Sequence, residues 1–466
     1  MLSFYDRPVR LCDGISRREW LRVGGLSALG LGLPALFEAR QAQAAAPTGG
    51  GPVGGKARSC IFLFMLGGPP QHETWDPKPE AAAEIRGNLK PIDTNVPGLK
   101  VGELMPQTAR IADKICVLRA LSTNDNAHSS SGYWVLTGTP HQPMNSENAK
   151  PGFPNNWPCL GAVVRRLRPE RSGQPSAVTL PEHIWNTGMV PWPGQDAGWL
   201  GRPSDPWLMM CDPSEAGFQV PGLSLPAEVT SPRFAGRQSL LGAVDERFRA
   251  SRAVGGYDSY RQQVCDLLSA PQARKAFKLE EEPDAVRDRY GRTRFGQSVL
   301  LARRLVEAGV SLVQVNWTRH KEDTAASPAW DTHQKNEYHL KRTLMPTMDP
   351  AYSALLEDLS ERGMLDDTLV VWVGEFGRSP KINGGAGRDH WGYVFSGALA
   401  GGGVRGGQVI GASDALGGYP KEGRVQPHDL SATIFHSLGL PPGAELRDPL
   451  GRPMVLSRGE VIKGVF

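Results

Sequence analysis

No two cysteines in this chain of 466 residues form a C-x-x-C pair; the six present are scattered at Cys12, Cys60, Cys116, Cys159, Cys211 and Cys265. That scatter excludes a zinc ribbon. With Cys12 assigned to a leader the remaining number is odd, so buried free thiols are expected, and one disulfide stays open in an oxidising compartment. Long Lys/Arg clusters are also missing, and the formal net charge is only +4 with a pI of about 8.7. Nothing here is a nucleic-acid footprint. Beyond the first 46 residues, no stretch approaches the roughly 18 apolar residues that a transmembrane helix needs. No stable membrane span is therefore expected.

The first 46 residues read as a removable leader. Ser16-Arg17-Arg18-Glu19-Trp20-Leu21 precedes a short, Gly-rich apolar stretch at 23–37 and then "ARQAQAAA", with an A-x-A cleavage signal near Ala44 or Ala46. Paired arginines ahead of a weakly hydrophobic core point to twin-arginine export, with the translocase as a transient partner. A periplasmic or secreted location follows. Residues 47–58, "PTGGGPVGGKAR", read as a flexible linker.

What remains is globular in composition, with 40% hydrophobic and 21% charged residues. Glycine (55) and proline (39) are both abundant, which implies many loops rather than a helical bundle. "SCIFLFML" (59–66) is apolar at every position, as a strand buried on both faces requires. "ICVLRAL" (115–121) follows a helix-like stretch at 105–113 and reads as a second strand. Helical spacing over 295–309 runs into the strand "VSLVQVNW", and an amphipathic segment at 352–365 runs into a strand at 368–373. Residues 428–440 form a last helix, with Asp429 and Ser431 as candidates at its start. This alternation predicts an α/β fold: a mostly parallel central sheet flanked by helices. Residues 140–290 are less regular and read as an insertion or cap, with a helical part near 233–290.

In an open α/β sheet, ligands bind beyond the carboxyl ends of the strands. Those loops hold His72 and Asp76; Asn124, Asp125, Asn126 and His128; His320, Asp331 and His333; and Glu375, Asp389 and His390. Five of the chain's 10 histidines lie there, so a convergent metal site is expected. Histidine mixed with carboxylate suits zinc, manganese or iron, whereas oxygen ligands alone suit calcium. Each residue also has a structural reading. Asp331 suits a helix N-cap, Glu375 an ion pair with Arg378, His72 an exposed loop, and Asp389-His390 a local brace stacked by Trp391. The stretch "VPWPGQDAGWLGRPSDPW" suits either a cleft lining or ordinary loop packing.

The blocks "FMLGGPPQHETWDPKPE", "NDNAHSSSGYWVLTGTPH", "GEFGRSPKING", "GRDHWG" and "GGVRGGQVIGASD" resemble the bacterial domain-of-unknown-function family 1501, over residues 59–466. That family is usually exported with a twin-arginine leader and is grouped with the alkaline-phosphatase-like superfamily of phosphatases, sulfatases and phosphomutases. The resemblance implies a parallel sheet with two metals at its carboxyl edge. Its first-strand acid falls near His72 or Asp76, its middle Asp…His pair at Asp331 and His333, and its last histidine at His390. Two positions depart from the superfamily pattern. The late-strand Asp-His reads Glu375-Phe376, so one imidazole is missing. In the nucleophile segment Leu136-Thr137-Gly138 is kept, but the nucleophile position is His128 and the arginine position Gly132. A standard sulfatase is therefore not the expectation. Ser129, Ser130 or Ser131 as activated hydroxyl, water activated at the metal, and loss of catalysis all stay open.

The resulting expectation is an exported, metal-dependent hydrolase of phosphate or sulfate esters. Its substrate would be a small-molecule or polysaccharide anionic ester. One divalent ion or two (zinc, manganese or calcium) would be held by His72, Asp76, Asp331, His333, Glu375, Asp389 and His390. Arg378 and Asn126 would hold the anionic group, and His128, Ser129 or Ser130 would act as nucleophile or proton carrier. The competing expectation is a non-catalytic exported binding protein that keeps the fold.

Overall fold

An uninterrupted apolar hexapeptide can form a strand only where the protein covers both of its faces, and the chain builds its sheet around one. In the computed structural model β1 (Ser59–Phe64) is buried at all six positions. The structure describes residues 55–466 except 169, 171–173, 187–189, 219, 221–274 (of which 233, 236, 237, 239 and 240 are described) and 320–328. The expected leader, most of the linker, His320, Cys265 and the larger part of the helical segment expected near 233–290 lie outside the described residues. Ala57 and Arg58, at the end of the expected linker, already bond to the body through Ser437 O (2.9 Å) and Asp367 O (2.7 Å).

The other sheet strands are β2 (Ile115–Leu121), β3 (Ala177–Leu180), β4 (Trp207–Leu208), β5 (Leu312–Asn316), β6 (Thr368–Val373), β7 (Phe395–Ala400) and β8 (Gln408–Ile410). They lie in the order β8-β2-β7-β6-β1-β5-β3-β4. All run parallel except β7, which is antiparallel to both β6 and β2. The mostly parallel sheet read from the sequence is therefore present. β2 and β6 match the expected strands residue for residue, while β1 stops two residues short, at Phe64.

Five helices matter for the site: α1 (His128–Thr137), α2 (Leu160–Leu167), α3 (Arg294–Glu307), α4 (Met345–Glu361) and α5 (Pro427–Ser437). α3 packs on β5, β1 and α4, α2 on β3, and α5 on α1. Thr293 caps α3 by accepting the Gly296 N–H at 3.1 Å. Asp429 stabilises the start of α5 from inside its first turn, accepting the Gln426 N–H at 2.9 Å. The helix-like stretch at 105–113 is shorter than its pattern, a single turn at Pro106–Ala109 followed by a 3-10 turn. Asp349 of α4 binds the Gln107 and Thr108 N–H groups that start it, so tertiary contact sets where it begins. No helix among the described residues is long and apolar enough to cross a membrane.

Candidate metal centre

Two strand ends, one helix start and a short ribbon converge at the carboxyl edge of β1, β5 and β6. Asp331 and His333 follow β5, Glu375 follows β6, and His128 is the first residue of α1. His390 arrives on a two-residue ribbon in which His390–Trp391 pairs antiparallel with Gly377–Arg378. Ligand atoms of His128, Asp331 and His390 lie within 4.8 Å of one another, and His128 and Asp331 are buried.

The hydrogen bonds fix which nitrogens carry protons. His390 Nδ1 lies 2.7 Å from Asn126 O, a carbonyl that can only accept, so Nδ1 is protonated and Nε2 offers a lone pair. His333 Nδ1 faces Asp389 Oδ1 at 3.2 Å, which again leaves Nε2 as the acceptor. The two Nε2 atoms are 2.8 Å apart, and each is 3.0 Å from Asp331 Oδ1. His128 repeats the arrangement, with Nδ1 2.6 Å from Glu375 Oε1. Its Nε2 comes within 3.1 Å of Asp331 Oδ2. The Nε2 atoms of three imidazoles thus face the two oxygens of one carboxylate. Such a set demands a cation between its members, either a proton or a metal ion. Donors of this kind fit a divalent transition ion.

The surroundings hold these groups rigidly. Glu375 is fully buried, and both its oxygens accept the Gly67 N–H, at 2.9 and 3.2 Å. Arg378 is also fully buried; it donates to Gly67 O, Gly68 O, Arg388 O and, at 2.5 Å, Asp331 Oδ1. It braces Asp331 and does not reach solvent. Burial opposes ionisation of Asp331, but the charges of His128 and Arg378 hold its carboxyl well below the usual range. Burial likewise works against a charged His128, yet Asp331 and Glu375 push it up to about 9. Burial pulls His390 down to about 3, helped by the His128 and Arg378 charges against the pull of Asp331.

The other sequence candidates have their own partners. Ser129 donates to Ser146 O (2.9 Å) and accepts the Ala149 N–H, Ser130 donates to Asp125 Oδ1 and accepts the Ser146 N–H, and Ser131 donates to Glu375 O. All three are fully buried, and their hydroxyls hold loops in place. His72 is buried with Nε2 2.7 Å from Leu416 O, and burial together with the Arg388 charge pulls it down to about 3. Asp76 meets Lys78 (3.0 Å), Arg119 (3.6 Å) and Ser413. Asn126 ties its loop to the ribbon by accepting the Gly392 N–H at 2.6 Å. Asp331 caps no helix, since the helix Asn336–His339 begins after Lys335, and Glu375 does not pair with Arg378.

Sequence reading missed three supporting residues. Trp192, from the Trp/Pro-rich stretch, stacks on His128 with centroids 6.0 Å apart. Its Nε1 donates to Asn186 Oδ1, whose Nδ2 donates to Glu147 Oε1, and Glu147 Oε2 accepts the His128 N–H at 2.7 Å. Gly132 was the available signal, because a Cβ there would sit 2.4 Å from the Trp192 ring. The described cysteines Cys60, Cys116, Cys159 and Cys211 are free thiols.

A family model described as "Protein of unknown function (DUF1501)" matches residues 57–466. The chain belongs to that family. No curated protein matches it. Among solved structures it is similar to the PsFucS1 sulfatase from Pseudoalteromonas sp., at 14% identity over 82% of this chain and 68% of that one, with a TM-score of 0.37. Silicibacter pomeroyi phosphonate monoester hydrolase SpPMH matches at 13% identity over 88% and 76%, with a TM-score of 0.38. Lipoteichoic acid synthase LtaP from Listeria monocytogenes matches at 9% identity over 88% and 84%, with a TM-score of 0.37.

Proposed function

We propose that this DUF1501 member is an exported, metal-dependent hydrolase of phosphate or sulfate esters. The observation that carries the reading is the convergence of three imidazole Nε2 atoms on the two oxygens of Asp331. His128, Asp331 and His390 would hold one divalent ion, which supplies Lewis acidity toward an oxygen of the ester. Glu375 and the Asn126 carbonyl fix the two ligand histidines in the required tautomer. His333 is half-exposed, at 38% of its side chain, and is oriented by Asp389, so it is the group placed to carry a proton at Nε2. This arrangement exchanges the roles that sequence alone suggested for His128 and His333. With Ser129, Ser130 and Ser131 engaged in loop contacts, water is the attacking species.

Those same engaged serines favour the second reading, a non-catalytic protein that binds metal and anion but cuts nothing. Elemental analysis of the natively exported protein, followed by a screen on aryl phosphates and aryl sulfates, separates the two. Stoichiometric metal with metal-dependent turnover is the expected result. Metal without turnover on any ester supports the binding protein, and absence of stoichiometric metal defeats both.

A further inference from the structure

The cavity over the centre, with a volume of about 610 Å³, is lined by His128, Asp331 and His390 and also by Lys150, Arg319 and Glu147. Its acids are occupied. Asp331 is surrounded by Arg378 and three histidines, and Glu147 accepts hydrogen bonds on both oxygens, from the His128 N–H and from Asn186 Nδ2 at 2.6 Å. Its two cations at the rim differ from them. Arg319 donates from Nε to Trp185 O at 3.3 Å, and neither Arg319 nor Lys150 ion-pairs with a carboxylate among the described residues. Lys150 is exposed and Arg319 half-buried at the cavity rim. Arg378, the arginine nearest the centre, is excluded from contact with any ligand by its full burial and its carbonyl partners.

A cavity whose acids are engaged and whose cations pair with no carboxylate among the described residues attracts anions, and a low-dielectric wall strengthens that attraction. Guanidinium and ammonium groups together suit a tetrahedral oxyanion, the first by its fork of donors and the second as a point charge. We infer that Lys150 and Arg319 are the anion-holding pair of this cavity and grip the non-bridging oxygens of a phosphate or sulfate group while its ester bond faces the histidine–aspartate centre. Assigning that group to an ester rests on the function proposed above, whereas the charge of the cavity wall does not. Glu147 sits in the same cavity and sets a limit on the binding, because its charge opposes the anion.

The test is calorimetric titration of the zinc-loaded protein with inorganic phosphate and with inorganic sulfate, beside elemental analysis of every variant. Wild-type protein should bind one of the two anions at one equivalent. Lys150→Ala and Arg319→Ala should each weaken binding about tenfold or more, as expected for loss of a hydrogen bond from a charged donor. Metal content should stay unchanged in both, Lys150→Arg should keep most of the affinity, and Glu147→Gln should raise it. Anion binding as tight in the Lys150→Ala/Arg319→Ala double variant as in wild type, with metal intact, overturns the inference and leaves the proposed function standing. Metal-loaded wild type that binds neither anion overturns it as well. Failure of wild type to load zinc is a separate result that counts against the function itself.

Discussion

Asp331→Asn isolates what the centre owes to one charge. The carboxylate lies 2.5 Å from a fully buried guanidinium and 3.0–3.1 Å from three imidazoles, so it links the guanidinium to all three rings. Asparagine keeps the shape and one oxygen, which limits steric damage. Removing one partner of a buried ion pair costs about 3–5 kcal/mol. Arg378 keeps its three carbonyl acceptors, so the lower end, about 3 kcal/mol, is expected. The second effect is on metal. A ligand ion present at a thousandfold excess over its Kd stabilises a fold by about 4 kcal/mol, and the variant loses this.

Denaturant unfolding with and without a chelator reads both terms. Wild type should exceed the variant by about 7 kcal/mol with metal present and by about 3 kcal/mol once metal is removed. Chelation should move the wild-type midpoint and leave that of Asp331→Asn in place. Elemental analysis should find wild-type metal near one equivalent and variant metal near zero. An Asp331→Asn protein that retained stoichiometric metal and still responded to the chelator would refute the reasoning.

Gly387→Ala should lower metal affinity at least tenfold without touching any ligand, because the added Cβ would lie 2.0 Å from His333 O and push that residue's backbone away. Gly384→Ala three residues earlier meets nothing within 4 Å and should be neutral in the same metal titration. The buried thiols should resist alkylation in the native protein at pH 8, since burial pushes Cys116 and Cys159 up to about 12. Mass spectrometry of iodoacetamide-treated native protein should find Cys60, Cys116 and Cys159 unlabelled, and label there within minutes would contradict their burial.

The strands were legible because burial on both faces leaves an unambiguous trace. "ICVLRAL" and "TLVVWV" match β2 and β6 without error. The reversed direction of β7 was not legible, because "FSGALA" is as apolar as its parallel neighbours and its direction is set by partners far away in sequence. α4 begins at Met345, seven residues before the expected 352, and carries Pro346 in its first turn and Pro350 within it. A proline pattern normally argues against a helix interior. At the site, the strand-end rule brought Asp331, His333, Glu375, Asp389, His390, His128 and Asn126 to one place. It could not separate ligand from orienter, which depends on which nitrogen faces a carbonyl or a carboxylate. Nor could it show that the Arg378 guanidinium turns inward, since only the packed structure supplies the Gly67, Gly68 and Arg388 carbonyls that receive it.

The two departures from the superfamily pattern become one feature in three dimensions. Phe376 stands where an imidazole was expected, and its ring packs on His128 (centroids 4.9 Å apart) and on His390 (4.6 Å). Gly132 stands where an arginine was expected, and the space is filled by Trp192, which stacks on the His128 ring at 6.0 Å. His128 thus packs against two aromatic rings, with Glu375 fixing its Nδ1 and Glu147 its backbone N–H. An arginine side chain at 132 would displace the Trp192 wall, and an imidazole at 376 would place another proton-binding ring against one whose charge Asp331 and Glu375 already favour. Either change alone would therefore disturb His128. The substitutions make sense together, as the packing needed to seat a histidine at the start of α1.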